Sequence, residues 1–227
     1  MRSFVTILIA LVCGACSSMQ SHTNASSETR DALVSKMEIA ELVNSWGYFR
    51  DQGRWAELLD AFHPEGAISV SWYDGPYREF VSQSRQLAEA HRDMVIKHQV
   101  AIPLIKVKGN RGLSEASVTI SVRSRTPGGT FEQTSYARFI DRVERRDGRW
   151  RILRRDTVYE RDRLDAVDQS TLPQSFYENL DRYPAQVMFL ASTIKRRGAE
   201  ISKSTLLAGT AQVARVYSDN DVWLSGD

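Results

Sequence analysis

Across residues 96–160 apolar residues recur at every second position, a pattern that only several long strands laid side by side can satisfy. Ile96, His98, Val100, Ile102 and Leu104 share one face of a first strand, and Ala116, Val118, Ile120 and Val122 share one face of the next. Pro127-Gly128-Gly129 and Asp147-Gly148 interrupt the alternation as turns, the second with hairpin chemistry. Strands are expected around Thr130 to Glu144 and Arg149 to Tyr159. In the last of these Trp150 and Ile152 alternate with Leu153, so both faces carry apolar side chains and both need cover.

The cover comes from the residues ahead of the sheet. Ser35 and Glu38 are spaced as a capping box, followed by a helical stripe of Ile39, Leu42, Val43, Trp46 and Phe49 that stops near Asp51, before Gly53. Trp55, Leu58, Leu59 and Phe62 mark a second short helix closed by Pro64, and Ala67 to Trp72 alternates as a strand. Asp74-Gly75-Pro76 then turns the chain into a third helix, roughly 78–93, with Val81, Ser84, Leu87, Ala88 and His91 inward. Helices first and an antiparallel meander afterwards define an α+β fold, not a parallel α/β sheet. A curved sheet with helices on one face leaves a hollow where ligands bind.

The termini lie outside this unit. Arg2, an apolar run from Phe4 to Val12 and the small residues before Cys16 read as an export signal, too short for the roughly 20 residues that span a bilayer. Cys13-Gly14-Ala15-Cys16 resembles the bacterial lipobox, which implies removal of residues 1–15, lipid on Cys16 as a membrane anchor, and residence on the periplasmic face of the outer membrane. Residues 16–34 are polar and aperiodic and are expected as a flexible tether. Residues 163–227, with Pro173, Pro184, an apolar stretch from Val187 to Ile194 and the tail Val222-Trp223-Leu224, form an extension that packs over the sheet, the pocket mouth or a homodimer interface.

Composition narrows the chemistry. Thirty basic against 28 acidic residues leave a formal charge of +2, which argues against a nucleic-acid surface. With Cys13 and Cys16 assigned to the signal, the mature domain has neither a disulfide nor a thiol nucleophile. Dinucleotide and P-loop glycine motifs, a nucleophile elbow and His/Cys metal spacings are absent, so the sequence implies no cofactor and no metal site. Among the four histidines, His98 alone falls by parity on an apolar strand face, with Val100 and Ile102, and a buried imidazole there needs a partner. Asp51, at the end of the first helix, is the candidate partner; the helix dipole there is expected to push its pKa up. Facing each other in an apolar pocket, the two make either a general-base pair or a structural hydrogen bond.

Glu41-Leu42-Val43, the run from Tyr48 through Leu58 and Phe62-His63-Pro64-Glu65-Gly66 resemble the opening of SnoaL-like proteins of the nuclear transport factor 2-like superfamily. Ile96-Lys97-His98 and the hairpin from Glu144 to Trp150 are similar to the same family, so the resemblance spans 35–162. It implies a cone of three N-terminal helices on a strongly bent sheet, open at one end, and dimers are common in the family. In its dehydrochlorinase-like and dehydratase-like members an aspartate at the position of Asp51 supports a histidine at the position of His98 as proton-abstracting base. Carried over, Arg155 steadies a leaving group and Tyr48, Trp72 and Tyr136 line the pocket; Arg154 and Arg155 point to opposite faces.

Two functions follow. One is a cofactor-independent lyase or isomerase acting on a small apolar molecule. The other is a noncatalytic, membrane-tethered protein that holds a hydrophobic ligand or partner in the same pocket.

Overall fold

The computed structural model describes residues 13–126, 129–167 and 171–226, with side chains from Glu28 onward. Residues 1–12 of the expected export signal and the Cys16 side chain lie outside the described residues. Among the described residues no helix is long and apolar enough to cross a membrane.

Helix α1 runs Cys13–Asp51. It does not start at the expected Ser35 cap: Ser35 lies within it, 3% exposed, and residues 16–34, expected as a tether, are helical in their backbone. Once a helix is nucleated, each added residue costs little, so the packed segment extends upstream without apolar support. Residues 28–34 are accordingly all exposed, whereas Ile39, Val43 and Trp46 form a fully buried stripe. Gly53, at φ +66°, ends the element. Helices α2 (Trp55–Asp60) and α3 (Tyr77–Ala90) complete the N-terminal set, and Tyr77, Phe80, Val81 and Ser84 are the buried face of α3.

The strands are β1 (Phe62–Val70), β2 (Tyr73–Pro76), β3 (Val95–Val100), β4 (Leu104–Lys108), β5 (Arg111–Thr126), β6 (Gly129–Arg146), β7 (Arg149–Ala166) and β8 (Leu206–Leu207). They form one sheet in the order β2-β1-β7-β6-β5-β3, with β4 also on β5 and β8 also on β7. All pairs are antiparallel except β1–β7 and β7–β8. The Asp147-Gly148 turn has φ of 52° and 75°, the left-handed pair that a tight hairpin requires. One expected strand is in fact two. Pro103 has no N–H for the ladder, so the chain breaks between β3 and β4, and the parity reverses: Ile102 and Leu104 are 88% and 76% exposed, while Ile105 and Val107 pack inward.

Strand β7 carries two extra residues. Arg142 pairs with Arg154 but Val143 with Ile152, and Tyr136 pairs with Arg161 but Ala137 with Tyr159, which leaves Leu153 and Glu160 as bulges. Bulges bend the strand and add twist, which curls the sheet around α1 and α3. Ile39, Trp46, Phe80, Val118, Phe139 and Ile152 form the core inside that curve. The outer face is covered as well. Helix α5 (Ala211–Ser225) lays Val213 on Ile140, Val158 and Leu206, and its Trp223 ring receives the guanidinium groups of Arg111 and Arg142 at 5.3 and 5.6 Å. Helix α4 (Met188–Arg196) caps the inner side, where Val187 and Leu190 join the main core. Its ends are tied by Asp162, which accepts from the Leu190 N–H at 2.7 Å, and by Arg197, which donates to the Ser124 hydroxyl at 2.6 Å.

An ion pair lies within the core. Arg155 and Asp141, cross-strand neighbours and both fully buried, make two hydrogen bonds of 2.7 Å, and the guanidinium lies 4.6 Å from the Trp46 ring centre and 4.1 Å from that of Phe139. Asp141→Ala leaves Arg155 charged and unpaired, and urea denaturation is expected to show a loss of about 3–5 kcal/mol. Exchanging both partners for apolar residues, Asp141→Leu with Arg155→Met, should recover most of it. A single-variant loss within about 1 kcal/mol, the scale of an exposed pair, contradicts this account.

Candidate active site

Asp51 and His98 meet where α1 crosses the edge strand β3. The crossing is close because Gly47 has no side chain: a Cβ there sits 3.3 Å from Val100 Cγ2 and 3.4 Å from His98 Cβ. Asp51 lies one helical turn further along the same face and so reaches the strand. Its carboxylate accepts twice from one residue, from the His98 backbone N–H at 2.9 Å and from ring Nδ1 at 2.6 Å, and Lys97 Nζ lies 3.3 Å from Oδ2. A carboxylate at Nδ1 selects the Nδ1–H tautomer and leaves Nε2 with its lone pair. Among the described residues no hydrogen bond engages Nε2. Trp46 packs edge-on against the imidazole at 5.4 Å, and its own Nε1–H donates to Tyr77 Oη at 2.8 Å, which donates in turn to Leu58 O.

The pair is nearly enclosed, with side chains 6% and 9% exposed for Asp51 and His98. Burial lowers the His98 pKa; Asp51 pulls it back up, and the nearby Arg50 and Arg155 guanidinium groups push it down again, so the ring is held below its ordinary value. For Asp51 burial acts upward, but the hydrogen bonds and charge of His98, with help from Lys97, outweigh it. Its pKa is therefore lowered, contrary to the rise expected from the helix dipole, because two short hydrogen bonds to the ionised form exceed a terminal dipole effect. The result is a neutral imidazole oriented by an ionised carboxylate, an arrangement that can accept a proton at Nε2.

The other expected site residues divide. Trp72 is half-buried and stacks on Phe80 at 5.3 Å, which stacks on Trp46, so it belongs to the aromatic wall beside His98. Tyr48 does not line the interior: it is 57% exposed under Lys97 Nζ at 5.2 Å, because its position on α1 faces outward from the crossing. Tyr136 is also displaced. It pairs with Thr119, while its neighbour Ser135 pairs with Ile120 on the His98 face, so Tyr136 is on the opposite side of the sheet, under Arg161 at 4.4 Å. Arg155 does point inward and Arg154 outward, to Asp156 and Asp74. Arg155 Nε and Nη2 both donate to Asp141, and its Nη1 is buried with no partner among the described residues.

Parity alone missed the polar side chains of the inner face. Gln133 and Ser135, each 1% exposed, alternate with Phe131 and Ala137, and Gln133 Nε2 donates to Ser135 Oγ at 3.0 Å; two polar residues inside an apolar alternation were a readable signal. Asp162 was hidden, since the Glu160 bulge turns it to the same face as Tyr159. Two surface concavities of about 310 and 380 Å³ lie elsewhere, one beside α2 and β1, the other between the outer sheet face and α5. Among the described residues no three His, Cys, Asp or Glu side chains gather as metal ligands.

Two measurements test the electrostatics. In Asp51→Asn the His98 imidazole pKa, followed by NMR, is expected to fall further, because the attraction that raises it is removed; an unchanged or higher value contradicts the pairing. Since the folded-state pKa of His98 is depressed, the unfolded chain binds the extra proton. The stability margin of wild type over His98→Gln, read by denaturation, should therefore be flat above about pH 7 and shrink as pH falls through the ordinary imidazole range near 6.5.

Residues 31–156, more than half of the chain, match the model of the SnoaL-like domain family. Pea pathogenicity protein 2 of Fusarium vanettenii is 26% identical over 161 residues, covering 70% of this chain and 68% of its own length. An uncharacterized protein of Aspergillus terreus is 29% identical over 178 residues, covering 71% of this chain and 65% of its own. Among solved structures, a scytalone dehydratase-like protein of Novosphingobium aromaticivorans superposes with a TM-score of 0.51 at 17% identity, over 64% of this chain and 96% of its own. A hexachlorocyclohexane dehydrochlorinase superposes with a TM-score of 0.50 at 15% identity, over 64% and 98%. The helices on a curved, open sheet and the matched residues agree: the chain belongs to the SnoaL-like domain family and has the α+β, nuclear transport factor 2-like fold.

Proposed function

We propose that the protein is a cofactor-independent lyase or isomerase that takes a proton from a small, largely apolar molecule, with His98 as the base. The observation that carries this reading is the double grip of Asp51 on the amide and Nδ1 of His98, which leaves Nε2 unengaged and the ring neutral. Asp51 orients the ring and stabilises the imidazolium as it forms. The aromatic wall of Trp46, Phe80 and Trp72 and the aliphatic Ile120 suit an apolar substrate. General-base catalysis contributes about 10²–10⁴-fold, so His98→Ala should lower turnover by that factor while the fold, checked by circular dichroism, is retained. Unchanged turnover sinks the assignment.

A second reading draws on the enclosure of the pair and on the position of both surface concavities away from it. In that reading Asp51 and His98 fix the fold, and the protein binds a hydrophobic ligand without altering it. Ligand affinity indifferent to Asp51→Asn and His98→Ala favours it.

The Cys13-Gly14-Ala15-Cys16 motif supports a bacterial envelope lipoprotein, held at the outer membrane through Cys16. Labelling with a radioactive fatty acid should mark wild type and not Cys16→Ser.

A further inference from the structure

The outer side of the sheet carries a cavity that the Asp51–His98 pair does not use. It measures about 380 Å³ and lies between strands β1, β6 and β7, helix α5 and the residues that lead into β8. Its walls are fixed. The Ser202 N–H donates to Ser71 O at 2.7 Å, and the Ser202 and Ser204 hydroxyls bond at 2.7 Å, which ties the approach to β8 to the end of β1. Opposite, Arg142 Nε donates to Asn220 Oδ1 at 2.6 Å and ties α5 to β6.

The two arginines that line it differ. Arg154 is engaged: Nε and Nη2 donate to Asp156 Oδ1 at 2.9 and 2.6 Å, and Nη2 reaches Asp74 at 3.3 Å. Arg142 bonds through Nε alone and has no ion pair among the described residues. For Arg154 burial acts downward on the pKa but Asp156 and Asp74 outweigh it; for Arg142 burial outweighs the pull of Asp156 and Asp219, and its pKa is lowered. Two nitrogens of a partly desolvated guanidinium are thus left with unused donors at the cavity wall.

Unused acceptors line the same space. Ser69 and Asp156 are register partners, 2% and 8% exposed. The Ser69 hydroxyl has no partner among the described residues, and Arg154 takes only Oδ1 of Asp156, which leaves Oδ2. Asp219, on α5, makes neither a hydrogen bond nor an ion pair among the described residues. With three aspartates against two arginines the lining is negative by one charge, which disfavours a phosphate or sulfate, and among the described residues no acids gather as metal ligands. A molecule with one charge of each sign answers both groups.

We propose that this cavity binds a free α-amino acid with an aliphatic side chain. The ammonium group, with three N–H donors and no acceptor, goes to Ser69 Oγ, Asp156 Oδ2 and Asp219. The carboxylate takes the two free nitrogens of Arg142, whose planar fork matches it. Leu206 and Val216, which pack together in the smaller outer core, receive the side chain. The site is independent of the reading of His98 as base.

The probe is L-leucine, compared with 4-methylpentanoate, which lacks its ammonium group, and 3-methylbutylamine, which lacks its carboxylate. Isothermal titration of the full chain should give leucine a Kd below about 1 mM and each comparison compound binding weaker by about 10-fold or more, since each loses one set of charge-assisted hydrogen bonds. Asp219→Asn removes no hydrogen bond or ion pair among the described residues, so the fold is retained. In that variant leucine should bind about 10-fold more weakly, while 4-methylpentanoate binds no more weakly than to wild type. Absence of leucine binding up to about 10 mM overturns the proposal. So does a comparison compound that matches leucine, or an Asp219→Asn variant with wild-type affinity for it.

Discussion

Two extra residues in one strand shape the interior of this protein. Leu153 and Glu160 have no cross-strand partner in β7, and each shifts the inward parity of the residues after it by one. Without the first, Arg155 would face outward with Asp156 inward; without the second, Asp162 would exchange faces with Arg161 or Arg163. The same bulges bend the sheet. Curvature and chemistry are therefore set by one local device, since the strand that the bulges bend is the one whose inward residues they select.

The interior is unusually charged for an apolar core. Arg50, Arg155, Asp141 and the Asp51–His98 pair are all buried or nearly so. Arg50 lies over Trp55 and Arg155 between Trp46 and Phe139, so the planar faces of the guanidinium groups are packed against rings, and Arg155 donates through Nε and Nη2 to Asp141. Two cations held near His98 bias it toward its neutral form, and one anion in contact orients it. That division lets the imidazole be well positioned without being permanently protonated.

The sequence was most legible where a period or a turn residue acts locally. Alternation from 96 to 160, the Asp147-Gly148 turn and the stop at Gly53 needed no tertiary information. The inward placement of His98 followed from Val100 on the same parity, and Asp51 was singled out by its place at the helix end together with the family resemblance. What failed was governed by longer-range terms. Nothing in a one-dimensional pattern marks a bulge in a strand as regular as β7, so Asp162 stayed hidden and the faces of Arg154 and Arg155 had no basis for their roles. Tyr136 was misplaced although its neighbours Ser135 and Ala137 carried the inner face. The dipole argument for Asp51 had the wrong sign because it counted the helix and not the strand amide that meets the carboxylate.

That amide has a further bearing on solubility. Strand β3 ends the sheet order, and its His98 N–H points away from the ladder, where an edge strand ordinarily offers a free donor to any passing chain. Asp51 occupies the donor with a buried negative charge and α1 lies across the strand. The carboxylate that orients the imidazole thus also occupies a donor at the open margin of the sheet, which only a substitution that removes the acceptor altogether would free for strand addition.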